Sequence, residues 1–93
     1  MKKRLEQLFK NYGMRVKVIS KRVSLDYIFL DNVVSGDSVD EYTIIFDVPF
    51  IFKYGNGDIE EIKDLTLIQD DFNYFDDRIV SPNLINDLKK LGF

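Results

Sequence analysis

From Tyr42 to Tyr54 every second residue is large and apolar: Tyr42, Ile44, Phe46, Val48, Phe50, Phe52 and Tyr54. A period of two places alternate side chains on opposite faces of an extended chain, so this run predicts a strand with one face buried in a core. A helix would scatter the same residues around its whole circumference. Pro49 interrupts the run with a residue that cannot donate to a sheet ladder, so a bulge or an exposed edge is expected there. Tyr54-Gly55-Asn56-Gly57-Asp58 follows as a hairpin turn, Asn-Gly being favoured where φ must be positive.

Weaker alternation flanks this strand. Met14, Val16 and Val18 alternate with Arg15 and Lys17, and Val23, Leu25, Tyr27 and Phe29 alternate with Ser24, Asp26 and Ile28. Ser20-Lys21-Arg22 between them is either a hairpin turn or a bend in one strand. Asp31 to Asp40, with Ser35, Gly36, Asp37 and Ser38, reads as a polar loop. A strand through Ile59 and Ile62 and another around Leu65–Ile68 are expected to complete an antiparallel meander.

The two ends carry a different period. Leu5, Leu8, Phe9 and Tyr12 fall at i, i+3, i+4 and i+7, and Gly13 stands where a helix gives way to a left-handed residue. Near the other end Ser81 is placed to cap a helix that has Pro82 in its first turn and Leu84, Ile85, Leu88 and Leu91 on one face. Lys89 and Lys90 suit its negative end, and Gly92 terminates it. The expected fold class is α+β, as one domain spanning residues 1–93: an N-terminal helix, an antiparallel sheet of four to five strands, and a C-terminal helix. The 45% apolar content is enough for one core of that size. Apolar residues never run long enough for a membrane span, and the basic start lacks a signal-peptide apolar region.

Composition narrows the chemistry. The chain has no Cys, His, Trp or Ala. Without His and Cys, the commonest general base, the best nucleophile and the usual zinc and copper ligands are missing. The expectation is a non-enzymatic domain with no cofactor and no metal. Richness in Ile, Asn, Lys, Phe and Tyr, with no Ala at all, suggests an AT-rich genome, hence the cytoplasm of a low-GC bacterium or of an infected host cell.

Charge is distributed unevenly. Residues 1–22 hold eight basic side chains and one acid, Glu6, whereas the remaining residues hold five bases and fifteen acids. Such asymmetry bears on association rather than on fold. Direct nucleic-acid binding through Arg15, Lys17, Lys21, Arg22 and the helix lysines is disfavoured by a pI near 4.8 and by the lack of any nucleic-acid-binding motif. Gly55-Asn56-Gly57 lacks the Lys-Ser/Thr and the helix of a phosphate loop.

The candidate partner-binding segment is Asp70, Asp71, Phe72, Asn73, Tyr74, Phe75, Asp76 and Asp77: two aspartate pairs around three aromatics. The spacing fits no calcium loop, and a carboxylate pair for glycoside hydrolysis is implausible in a chain this small. Aspartates could steer a basic partner while Phe72, Tyr74 and Phe75 anchor it. Alternatively, the aromatics turn inward and pin an acidic loop to the core. Ile45 and Ile51 lie on the opposite face of the main strand from the Tyr42–Tyr54 series. Unless helices cover both faces of the sheet, these two mark an exposed apolar patch and a secondary interface, with Arg15, Lys17, Lys21 and Arg22 as further candidates.

Two function classes follow. One is a small protein-binding inhibitor, of the kind a phage or plasmid directs against a host or defence protein, occluding a basic or nucleic-acid-binding surface; a toxin-neutralising immunity protein is its variant. The other is a structural subunit of a phage virion or connector, in which a basic end and an acidic remainder pair head-to-tail into a homo-oligomer.

Overall fold

Helix α1 (Lys2–Asn11) and helix α2 (Pro82–Lys90) form where the 3.6-residue stripes lie, and both end in the same way. After α1 the Met14 N–H donates to the Phe9 carbonyl and the Gly13 N–H to the Lys10 carbonyl, each at 2.9 Å. After α2 the Phe93 and Gly92 N–H groups donate to the Leu88 and Lys89 carbonyls at 3.2 and 3.1 Å. This paired closure needs a left-handed residue, and Gly13 (φ 79°) and Gly92 (φ 96°) supply it. At the start of α2 the Ser81 hydroxyl accepts from the Leu84 N–H at 3.3 Å, with Pro82 in the first turn where no donor is needed.

The computed structural model describes residues 1–29, 32–69 and 75–93; of 25–29 and 32–37 it describes the backbone only. Between the helices lie three strands, β1 (Val16–Phe29), β2 (Asn32–Lys53) and β3 (Ile59–Ile68), in one antiparallel sheet of order β1-β2-β3. The meander is as expected, but among the described residues four to five strands is corrected to three. Of the two readings of Ser20-Lys21-Arg22, the hairpin turn is corrected and the single strand holds: β1 runs through these residues and shifts register only between Ser24 and Asp26. Residues 32–40, expected as loop, pair with β1 from Asn32 to Asp40. Residues 59–68 form one strand. Backbone groups pair whatever their side chains are, whereas alternation reports only burial, so a polar strand is silent in sequence.

The register is staggered. β2 pairs with β1 through residues 32–46 and with β3 through residues 41–53. Beyond Glu41, β1 and β2 continue without β3 as a two-stranded arm of about 25 Å. Beyond Phe46, β2 and β3 continue without β1. The Cα radius of gyration, 15.1 Å, accordingly exceeds the roughly 12 Å of a compact chain of this length.

Pro49 marks the expected bulge. Ile45 pairs with Asp64, and the next regular pair is Phe50 with Ile62, so residues 46–49 face Lys63 alone. The irregularity corrects the single buried face read from Tyr42 to Tyr54. Tyr42, Ile44 and Phe46 are buried, Val48 is 81% exposed, and Phe50 and Phe52 are only half-buried. It also explains why Ile62 and Leu65, three apart, both reach the core.

The core lies on one face of the sheet. Leu5 and Phe9 from α1, Leu84 and Leu88 from α2, and Ile79, Val80 and Phe93 meet Val18, Tyr42, Ile44, Phe46, Ile62, Leu65 and Leu67 from the strands. Phe9 stands edge-on to Phe46 with ring centroids 6.3 Å apart, and Phe93 stands likewise to Tyr42 at 5.6 Å. Both helices therefore cover the face that carries Tyr42 and Phe46. They also touch each other, where the Tyr12 hydroxyl donates to Asp87 at 2.6 Å.

Candidate functional site

The acidic-aromatic segment falls partly outside the described residues: Asp70, Asp71, Phe72, Asn73 and Tyr74 lie there. Of the rest, Phe75 and Asp76 are engaged within the fold. Phe75 is half-buried against the core, whereas Asp77 is exposed. Asp76 turns both carboxylate oxygens to Arg78: Oδ1 accepts from the Arg78 backbone N–H and Nε, each at 3.0 Å, and Oδ2 accepts from Nη2 at 2.7 Å. The Ile79 and Val80 N–H groups donate to the Asp76 carbonyl, which winds the chain into the start of α2.

Arg78 also reaches across the sheet end. Its Nη1 donates to the Tyr54 hydroxyl at 2.7 Å and to Glu60, and the Tyr54 hydroxyl donates to Glu60 as well. The arrangement clasps the β2–β3 turn to the segment before α2. Hydrogen bonds from Arg78 hold the Asp76 carboxyl below the usual carboxylate range. Glu60 is lowered by the Tyr54 hydroxyl first and then by the Arg78 charge. The hydrogen bond to Glu60 raises the Tyr54 phenol, and the one to Asp87 raises Tyr12. Sequence reading did not find this clasp. Tyr54, Glu60 and Arg78 have no local signature, because their contacts depend on how the chain returns after β3.

The face of the sheet away from the helices is uncovered by any described residue. Cross-strand partners share a face, which puts on this surface the rows Lys21, Glu41 and Ile68, then Ile19, Thr43 and Thr66, then Lys17, Ile45 and Asp64, and, past the bulge, Ile51 beside Glu61 and Lys53 beside Ile59. Ile51 is 58% exposed, and Ile59, diagonally across from it, is 67% exposed. Ile45 is half-buried among its neighbours. Ile45 and Ile51 thus share the outward face, together with Ile19 and Ile59, which the strand pattern had not singled out.

The basic candidates divide. Lys21 pairs with Glu41 at 3.4 Å and Arg22 with Asp40 at 3.1 Å, each across β1 and β2. Lys17 and Arg15 make no ion pair with a described residue. Arg15 borders a cleft of about 510 Å³ beside the bulge, lined also by Tyr12, Met14, Asp47, Val48 and Phe50. A second, shallower groove of about 480 Å³ runs between the helices, past Lys3, Arg4, Leu8, Lys90 and Leu91.

Among the described residues no three Asp or Glu side chains are grouped so as to hold a metal ion, and no helix is long and apolar enough to cross a membrane. The chain matches no family model, no curated protein and no solved structure in the comparisons made.

Proposed function

We propose that the chain is a small non-enzymatic binding domain that works by covering a surface of another protein. The observation that carries this reading is the one-sided sheet. An antiparallel sheet with a solvated face ordinarily turns polar residues outward. Here Ile19, Ile51 and Ile59 occupy outward positions, and Val48 protrudes at the bulge. Ile51 and Ile59 lie diagonally across from each other, and large aliphatic side chains exposed side by side mark an interaction surface. Phage- or plasmid-directed inhibition of a host or defence protein fits such a domain, with the acidic 70–77 segment as an electrostatic guide toward a basic target.

The test uses a partner recovered by crosslinking to the intact protein. Replacing Ile51 and Ile59 by aspartate removes exposed side chains, so the melting temperature should stay near that of the parent. If the pair forms a hot spot, binding should weaken by about 2 kcal/mol or more, mostly through faster dissociation. Unchanged dissociation with the double variant would remove the sheet face from the proposal. A second reading, a structural subunit of a virion or connector, is favoured by one separate observation: the two open edges of the sheet carry opposite charge.

A further inference from the structure

Sheet order turns the charge asymmetry of the sequence into a spatial one. β1 and β3 are the two edges of the sheet, and with β2 antiparallel to both they run in the same direction. On the outward face β1 presents Lys17 and Lys21, and β3 presents Glu61 and Asp64. Lys63, within the irregular stretch, is the one base of β3. Glu41 already engages Lys21, whereas Lys17, Glu61 and Asp64 are exposed and make no ion pair among the described residues. No described strand pairs with the outer edge of β1 or of β3. The segment after β3 does not cover this face where it is described. Arg78 meets Glu60 on the side that Glu60 shares with Phe52, and Ile79 and Val80 enter the core beneath the helices.

We propose that these edges bind each other: a second copy of this chain docks its β1 edge alongside the β3 edge of the first. The proposal deepens the structural-subunit reading and rests on it. Strand addition satisfies the outward backbone groups alongside Lys17–Ile19 on one edge and Asp64–Thr66 on the other. Charge fixes which edges meet. Pairing β1 with β1 would oppose lysine to lysine, and pairing β3 with β3 would oppose carboxylate to carboxylate, whereas β3 beside β1 matches Asp64 with Lys17 of the next copy. The row Lys17, Ile45, Asp64 then continues across the junction, and Thr66 meets Ile19 of the next copy in the row beside it. Keeping all helices on one side makes this pairing parallel. A contact of this kind leaves one free edge at each end, so it repeats, closing into a ring or extending as a filament.

Sedimentation and light scattering of the intact chain at low and high salt test this. The expected mass lies well above the 11.0 kDa of one chain at low salt, grows with concentration, and falls toward the monomer as salt screens the matched charges. Lys17→Glu with Lys21→Glu makes both edges acidic, and Glu61→Lys with Asp64→Lys makes both basic. Each variant alone should be monomeric, and an equimolar mixture should recover the assembly, with circular dichroism showing both to be folded. Lys17→Glu alone is the milder variant should the first double change unfold the protein, and it should shift the association constant at least several-fold. A parent that stays monomeric at low salt overturns both the edge pairing and the structural-subunit reading. A parent that assembles to a mass indifferent to the charge reversals overturns the edge pairing alone, and so does a mixture of folded variants that stays monomeric.

Discussion

Phe46 and Val48 are equivalent in the alternating pattern and opposite in the structure, which makes them a sharp pair for measurement. Phe46 is 6% exposed and lies edge-on to Phe9, whereas Val48 is 81% exposed on the bulge. Truncating a buried Phe to Ala costs about 3–5 kcal/mol in lost transfer energy and residual cavity. Its ring partnership with Phe9 adds about 0.5–1.5 kcal/mol beyond the buried area. Val48→Ala removes little buried surface and should stay within about 0.5 kcal/mol of the parent. In a urea titration with a slope of about 1–3 kcal/mol per molar, Phe46→Ala should lower the midpoint by at least about 1 M, and Val48→Ala should leave it almost unmoved. Small domains have about 5–15 kcal/mol of total stability, so Phe46→Ala could be largely unfolded. Ile44→Val, at about 0.5–1.5 kcal/mol, keeps the core measurable in that event. Equal losses for Phe46→Ala and Val48→Ala would mean that β2 keeps one alternation straight through Pro49, and the bulge would be refuted.

Three further outcomes follow from the structure. Ser81→Ala should lower stability by about 1 kcal/mol in thermal melts, because the Leu84 N–H loses its acceptor; no change would mean that the cap is idle. Asp76 and Glu60 are depressed in the fold, so their contribution is fully present above their ordinary pKa values near 4 and is lost as pH falls through the lower folded values. Tyr54, raised, contributes below pH 10 and loses its contribution above it. Arg78→Ala should therefore flatten the acid side of a stability–pH curve, and an unaltered acid limb would show that the clasp does not matter to folding. Calcium and magnesium should leave the melting temperature unchanged; micromolar binding in calorimetry, abolished by Asp70→Asn with Asp71→Asn, would overturn that expectation.

The parts of the fold that were readable share one property: their cause is local. Ser81, Pro82, Gly13 and Gly92 act on backbone groups within a few residues, and both helices stand where these residues placed them. Pro49 signalled the bulge because a missing donor is a fact about one residue. The Asn56-Gly57 turn was readable for the same reason: the Gly57 N–H donates to the Tyr54 carbonyl at 3.0 Å. Strand count was not readable, since β2 between residues 32 and 40 pairs through its backbone while its side chains show no period. The spacing of three between Ile62 and Leu65 broke β3 into two apparent strands, although the extra residues that cause it sit on β2. Of the candidate surfaces, the outward placement of Ile45 and Ile51 was readable from alternation. The clasp of Arg78 on Tyr54 and Glu60 was not, because it depends on a return of the chain that no periodicity encodes. The opposite signs of the two sheet edges required knowing the strand order.

The contact between Tyr12 and Asp87 has an architectural consequence. α1 and α2 touch there, and Lys3 and Arg4 line one groove with Lys90 and Leu91. The two ends of the chain therefore border one groove on the helical side of the sheet. A short linker could join them, and a new start could be cut at the exposed Gly55–Gly57 turn, yielding a permuted chain with the same three-strand order. Permutation tends to succeed where ends are near and the cut falls in an exposed turn. Cargo fused at either end would hang behind the sheet, leaving its open face and both edges unobstructed. The domain is thus laid out as a panel mounted from the back.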